Sequence, residues 1–214
     1  MIRLNKSAQP PILAANAARW LAEFKIAKAA GEVPSHVARR YAHADIKAAV
    51  KADSFDKCVY CESKIPHVSF GDVEHLKPKS TFEDLRFDWS NLALVCSRCN
   101  NAKGNQYDPA CPPIDPYVEN PSDEIIACGN LVWGRPGRDR GFVTETVVAL
   151  NRIELAERRL ARLQTLRPLL DSAAKAVNPA IRAALLEQVR VELSDEMEYS
   201  FVCRALATES GVRV

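Results

Sequence analysis

Two cysteine pairs, Cys58-Val-Tyr-Cys61 and Cys96-Ser-Arg-Cys99, stand thirty-four residues apart. A two-residue gap lets both thiolates of a pair reach one ion, and two such pairs supply the four soft ligands of a closed, tetrahedral zinc site. The separation exceeds that of a common zinc ribbon, so the spacing predicts an insert of fixed shape between the knuckles. A redox CxxC would account for one pair and leave the second unexplained. Cys111, Cys128 and Cys203 have no paired spacing and are expected to be buried or inert thiols. The insert itself is polar in an informative way. Asp72-Val73-Glu74-His75 sets a carboxylate beside a histidine at the expected end of a short strand. Trp89-Ser90-Asn91 leads an apolar run into the second knuckle, and Asn100-Asn101-Ala102-Lys103-Gly104-Asn105 follows it.

The elements that must position these groups lie on both sides of them. Residues 1–57 read as an alanine-rich helical arm. Pro11 near the start and Ile12, Leu13, Ala17, Trp20, Leu21, Phe24 and Ile26 at helical spacing give a first helix, and a second runs from about 35 to 52 after Pro34. Residues 58–107 are too few for an ordinary apolar core, which again calls for a metal staple. Residues 108–150 are rich in Pro and Gly and read as a loop followed by a hairpin, Ile125–Trp133 pairing with Phe142–Val147. Residues 151–214 are helical. Asn151 with Glu154 resembles a capping box, Leu155, Leu160, Leu163, Leu166 and Leu170 form an apolar side, and Pro168 marks a kink or a restart. Two more helices are expected over 179–192 and 195–207. The fold class is therefore mainly α, with a small metal-stapled motif held between helical arms and a short β-hairpin near 125–147.

The pieces C-V-Y-C, V-E-H-L-K-P, N-L-A-L-V-C and C-S-R-C-N-N-A-K, in this order, resemble the HNH endonucleases that combine a ββα-metal fold with a four-cysteine zinc site. The flanking P-I-D-P-Y-V-E-N-P and A-L-N-R-I-E-L-A-E-R-R resemble a narrower group, the HNH proteins encoded with an ATPase in Septu-type and retron-linked anti-phage systems. The resemblance implies that His75 is the general base for water attack on phosphorus, and that the Asn91 side-chain oxygen accepts its other ring N–H. It also implies that Glu74 and Asn100 bind a catalytic Mg²⁺ or Mn²⁺, that Lys103 adds positive charge at the phosphate, and that the zinc on Cys58, Cys61, Cys96 and Cys99 is purely structural. Two departures from the family pattern stand out. Glu74 occupies a position more often Asp, leaving Asp72 as a rival ligand, and Asn100 occupies one often His, with Asn105 a weaker alternative.

Plainer readings accompany each role. Asn91 could cap a helix, Asn100 and Asn101 could end one, and Lys103 could be a solvated charge. Tyr60 and Trp89 suit packing better than base stacking, and His36, His43 and His67 have no partner spacing. The chain has 214 residues with 47% hydrophobic and 26% charged content, which excludes disordered and fibrous classes. It has no apolar run of membrane-spanning length and no secretory signal pattern, which sets the expectation of a cytoplasmic protein. Its net charge is only +2, although the first 57 residues hold ten Lys or Arg against five acids. Substrate affinity from this chain alone should be modest, because phosphate contacts dominate non-specific binding. That leaves room for a partner that delivers or licenses the substrate; the resemblance implies that this partner is an ATPase and that the nucleic acid is DNA ahead of RNA. An inactive zinc-stapled nucleic-acid-binding or scaffold module is the alternative.

Overall fold

The computed structural model describes residues 1–65 and 71–212; His67 lies outside the described residues. The chain opens on α1 (Pro11–Ala29), α2 (Ser35–Ala38) and α3 (Ala44–Asp53). Leu13, Trp20 and Phe24 form the buried side of α1. Ile26, expected on that side, is 71% exposed. It follows Phe24 by two residues, about 200° around the helix, and so faces away. The helix expected over 35–52 is broken by a 3₁₀ turn at Arg40–Ala42 and by His43, whose backbone is extended. His43 caps α3, its Nδ1 accepting from the Asp45 N–H at 3.2 Å.

β1 (Asp72–His75) pairs antiparallel with β2 (Leu92–Val95), Asp72 opposite Val95 and His75 opposite Leu92. Helix α4 (Ser97–Lys103) follows at once and completes a ββα unit. Leu92, Ala93, Leu94 and Val95 are all fully buried, as an unbroken apolar run requires when both faces are covered. Helix α3 packs on both strands and contributes the fully buried Ile46 and Val50.

The second hairpin is tighter than its sequence suggested. β3 (Ile125–Cys128) pairs with β4 (Leu131–Gly134) across a two-residue turn with Gly129 at φ 58°. The turn closes so early because a glycine can take that conformation at no steric cost. Residues 142–147, expected as the partner strand, instead belong to α5 (Asp139–Val147). Helix α5 lies directly on β4, and the contact is tight enough that a Cβ on Gly141 would sit 2.0 Å from the Glu124 carbonyl oxygen. Gly141→Ala should cost about 1–3 kcal/mol or more by overpacking. A fall of several degrees in Tm is expected on thermal denaturation, and an unchanged Tm would contradict this packing.

The C-terminal helices are α6 (Ile153–Lys175), α7 (Pro179–Glu192) and α8 (Ser200–Glu209). Asn151 does not form the expected capping box. Its side chain clamps β4, accepting from Val132 N–H at 2.9 Å and donating to the Val132 carbonyl at 2.8 Å. Pro168 sits inside an unbroken α6. Leu160 is 44% exposed, whereas Arg159 is buried and donates to the Leu150 carbonyl. Helix α8 starts later than expected because Ser200 Oγ donates to the Ser194 and Met197 carbonyls, holding the preceding residues in turns. No helix among the described residues is long and apolar enough to cross a membrane.

Candidate functional site

The four knuckle cysteines converge. Their sulfurs all lie within 4.8 Å of one another and all four residues are buried. Cys61 and Cys96 Sγ are 3.8 Å apart. Zn–S bonds of ~2.3 Å put tetrahedral sulfur pairs about 3.8 Å apart, so the cluster fits a zinc ion. Among the described residues this is the one group of three or more Cys, His, Asp or Glu able to hold a metal. Backbone geometry explains the convergence. Val59 N–H donates to the Leu94 carbonyl and ties the first knuckle to β2, while Cys96 is the N-cap of α4, its sulfur accepting from Cys99 N–H. Outer contacts come from far along the chain. Arg152 Nη1 donates to Cys99 Sγ at 3.5 Å, and Ser63 Oγ lies 3.4 Å from Cys61 Sγ and 3.0 Å from the Tyr199 hydroxyl. Cys111 is half-buried, Cys128 exposed and Cys203 buried.

His75 ends β1 with its imidazole fully buried. Its Nε2 is 2.9 Å from the Arg86 carbonyl oxygen, which can only accept, so the ring proton sits on Nε2 and Nδ1 keeps its lone pair. Nδ1 has no hydrogen-bond partner among the described residues. The orienting acceptor is thus a backbone carbonyl and not Asn91. The Asn91 side chain instead accepts from Lys77 N–H at 2.7 Å and donates to the Lys77 and Leu85 carbonyls, pinning the loop between the strands. Arg86 is held in turn by the N-terminal arm: its guanidinium stacks 3.8 Å over Phe24 and donates to the Ala38 carbonyl. From the same arm, the Tyr41 ring packs edge-on against His75 at 4.5 Å. Neither Arg86 nor Tyr41 carries a sequence signal for these roles, since both act through placement alone.

Burial, reinforced by the positive charges of Lys79, Arg86 and Lys103, pushes the His75 pKa down to about 3, although the Arg86 carbonyl works the other way. The imidazole is therefore neutral at physiological pH, the form a base requires. An unfolded histidine takes its proton near pH 6.5. His75 should contribute full stability above that value and lose it, by up to ~1.4 kcal/mol per pH unit, as pH falls toward 3. Urea midpoints measured from pH 7 to pH 4 should drop more steeply for the wild type than for His75→Gln. Parallel curves would count against the buried neutral ring.

Alternation along β1 puts Asp72 and Glu74 on the opposite side from His75. Asn100 on α4 comes to that side, its Nδ2 3.5 Å from Asp72 Oδ2. The set is all-oxygen, which suits a hard divalent cation. Asn105 lies beyond the Gly104 end of α4 and is exposed. Lys103 differs from expectation. It is fully buried and Nζ donates to the His75 carbonyl at 3.0 Å, so its charge is spent on the end of β1 and not on an open phosphate site. Burial lowers its pKa and Glu74 pulls it back up. Lys103→Met should destabilise the protein by about 1–3 kcal/mol, the cost of an unpaired buried carbonyl. Urea denaturation reads that loss, and the salt dependence of nucleic-acid binding should stay unchanged; a shallower salt slope would return Lys103 to the phosphate.

The sequence model of the HNH endonuclease family matches residues 58–106, the span that carries both knuckles, the β1–β2 hairpin and α4. The chain is 36% identical over 110 residues to the "Septu protein PtuB" of Bacillus thuringiensis, covering 51% of this chain and 42% of that protein. It is 27% identical over 150 residues to the "Septu protein PtuB" of Bacillus mycoides (strain KBAB4), covering 56% and 51% respectively. The chain thus spans about half the length of the curated relatives it matches.

Proposed function

We propose that the HNH endonuclease domain at residues 58–106 hydrolyses phosphodiester bonds in nucleic acid, DNA ahead of RNA. The chain would act in the cytoplasm as the effector nuclease of an anti-phage defence complex with an ATPase partner. The observation that carries this reading is the His75 ring, whose Nε2 proton is committed to the Arg86 carbonyl while Nδ1 has no partner among the described residues. A neutral imidazole so fixed accepts a proton from water as the water attacks phosphorus. Lys103 and Arg86 hold the strand end and the ring in place. Glu74 and Asn100, with Asp72 beside them, would hold a Mg²⁺ or Mn²⁺ ion, which supplies positive charge where the phosphate gains negative charge. Zinc on the four thiolates would keep β1 and α4 in register. The two relatives' names support the defence setting, and the ATPase follows from the resemblance of the flanking segments.

One observation favours the second reading, an inactive nucleic-acid-binding or scaffold module: Nδ1 is closed off from solvent. A working base must meet water, so under the nuclease reading Nδ1 is uncovered when substrate or partner engages. Purified protein, with and without the product of the neighbouring gene, is incubated with plasmid DNA and with total tRNA, in Mg²⁺, Mn²⁺ or neither. Metal-dependent cleavage of either substrate supports the nuclease. Binding without cleavage in every arm leaves the scaffold.

A further inference from the structure

Helix α6 begins against the thiolate cluster and not in solvent. Arg152, its N-cap residue, lies fifty-three residues after Cys99, the last cysteine of the second knuckle, and well outside the HNH match. Its Nη1 divides between Cys99 Sγ at 3.5 Å and the Ala149 carbonyl at 3.0 Å. Beside it a cleft of about 260 Å³ is lined by Cys96, Arg98, Arg152, Arg158 and Glu154. Neither Arg98 nor Arg158 forms an ion pair with a carboxylate among the described residues, whereas Arg40, Arg140, Arg162, Arg190 and Arg204 each do.

Charge explains why three arginines gather there. Four thiolates around one divalent ion leave a formal charge of about −2, buried at low dielectric, which is costly unless compensated. The three arginines and Glu154 sum to +2. An N–H donated to a thiolate also draws electron density from sulfur, making it a poorer target for a proton or an electrophile. The cleft reaches the buried cluster at Cys96, a path by which such attack could come, and Arg152 lines it.

We propose that Arg152 is a positioning residue for the metal centre: its hydrogen bond to the Cys99 thiolate, with Arg98 and Arg158 completing the charge balance, slows loss of the ion. The C-terminal helices thereby become part of the metal site, although every ligand lies in the HNH domain. This inference rests on the reading of the cluster as a zinc centre.

The test is the rate at which full-length protein releases zinc to an excess of a chromophoric chelator, read by absorbance, with zinc content and Tm measured alongside. Groups that orient metal ligands typically contribute 10–100-fold in affinity. Arg152→Met should release zinc about 10–100 times faster, Arg152→Lys should fall between it and the wild type, and Glu154→Gln should release zinc no faster than the wild type. Asn151→Ala, which loosens the same helix start without touching sulfur, controls for simple destabilisation. Release as fast from Asn151→Ala at matched Tm would overturn the proposal, as would wild-type release from Arg152→Met. Should Arg152→Met fail to fold, wild-type release from Arg152→Lys would do the same. Wild-type protein isolated without zinc would overturn the zinc reading first, and this inference with it.

Discussion

His75→Ala is expected to lower the rate of metal-dependent cleavage by ~10²–10⁴-fold, the usual contribution of a positioned general base. That is about 3–5 kcal/mol of transition-state stabilisation. The ring is fully buried and packs against Tyr41, so truncation also removes core volume. His75→Gln separates the two effects. Its amide can still donate to the Arg86 carbonyl and fill much of the space, yet it cannot take a proton near neutral pH. If His75 is the base, both variants lose cleavage to a similar degree while only alanine loses appreciable thermal stability. Initial rates on the substrate cleaved by wild type decide the matter. Cleavage by either variant within about threefold of wild type would remove His75 from the base role, because general-base catalysis contributes at least ~10²-fold.

The difference between what was readable in the sequence and what was not follows the reach of each interaction. The metal cluster was legible because its four ligands come as two local pairs, and local spacing constrains geometry directly. The ββα order was legible for the same reason: Asp72–His75, the Leu92–Val95 run and Ser97–Lys103 each carry their own pattern. The hydrogen bonds inside the site were not. The family pattern points Asn91 at His75, but a carboxamide can reach several carbonyls and amides, and here it bonds the loop at Lys77 and Leu85. Arg86 holds His75 by its main-chain oxygen, which every residue type possesses. Asn151 likewise has the composition of a helix cap and is used to clamp β4. Polar side chains at element ends satisfy whatever backbone the tertiary fold brings close, and a one-dimensional pattern does not record that. The segment 142–147 failed for a different reason. Its residues suit a strand, but the tight turn at Gly129 had already supplied β3 with a partner, and the glycine pair Gly134 and Gly141 let a helix settle on β4.

The same reach argument sets the expected outcome of removing the metal. Cys96→Ser should lower Tm by roughly 10–20 °C or leave the protein insoluble. The magnitude comes from comparing two quantities. Structural zinc contributes apparent binding free energies of ~10–16 kcal/mol in small zinc modules, while whole domains are stable by only ~5–15 kcal/mol. Losing even ~5 kcal/mol in a chain of this size moves Tm by roughly 10–20 °C. Serine could still cap α4 through its oxygen, because an N-cap needs only an acceptor for the Cys99 N–H. Any loss of stability therefore reports the missing thiolate and not a frayed helix. The damage should not spread evenly. Helix α6 packs on both α7 and α8, and its Leu155, Leu166 and Leu170 are buried. The hairpin carrying His75 has a smaller reserve: β1 and β2 are four residues each, α4 is seven, and their apolar support comes from α3. Hydrogen exchange should accordingly accelerate over 58–65 and 71–103 before it does over 153–175, in Cys96→Ser and in wild type exposed to a strong chelator. If Tm holds within about 3 °C in both, or if exchange speeds up first in α6, the four cysteines would not be the staple of this domain, and Glu74, His75 and Asn100 would owe their placement to α3 and the N-terminal arm alone.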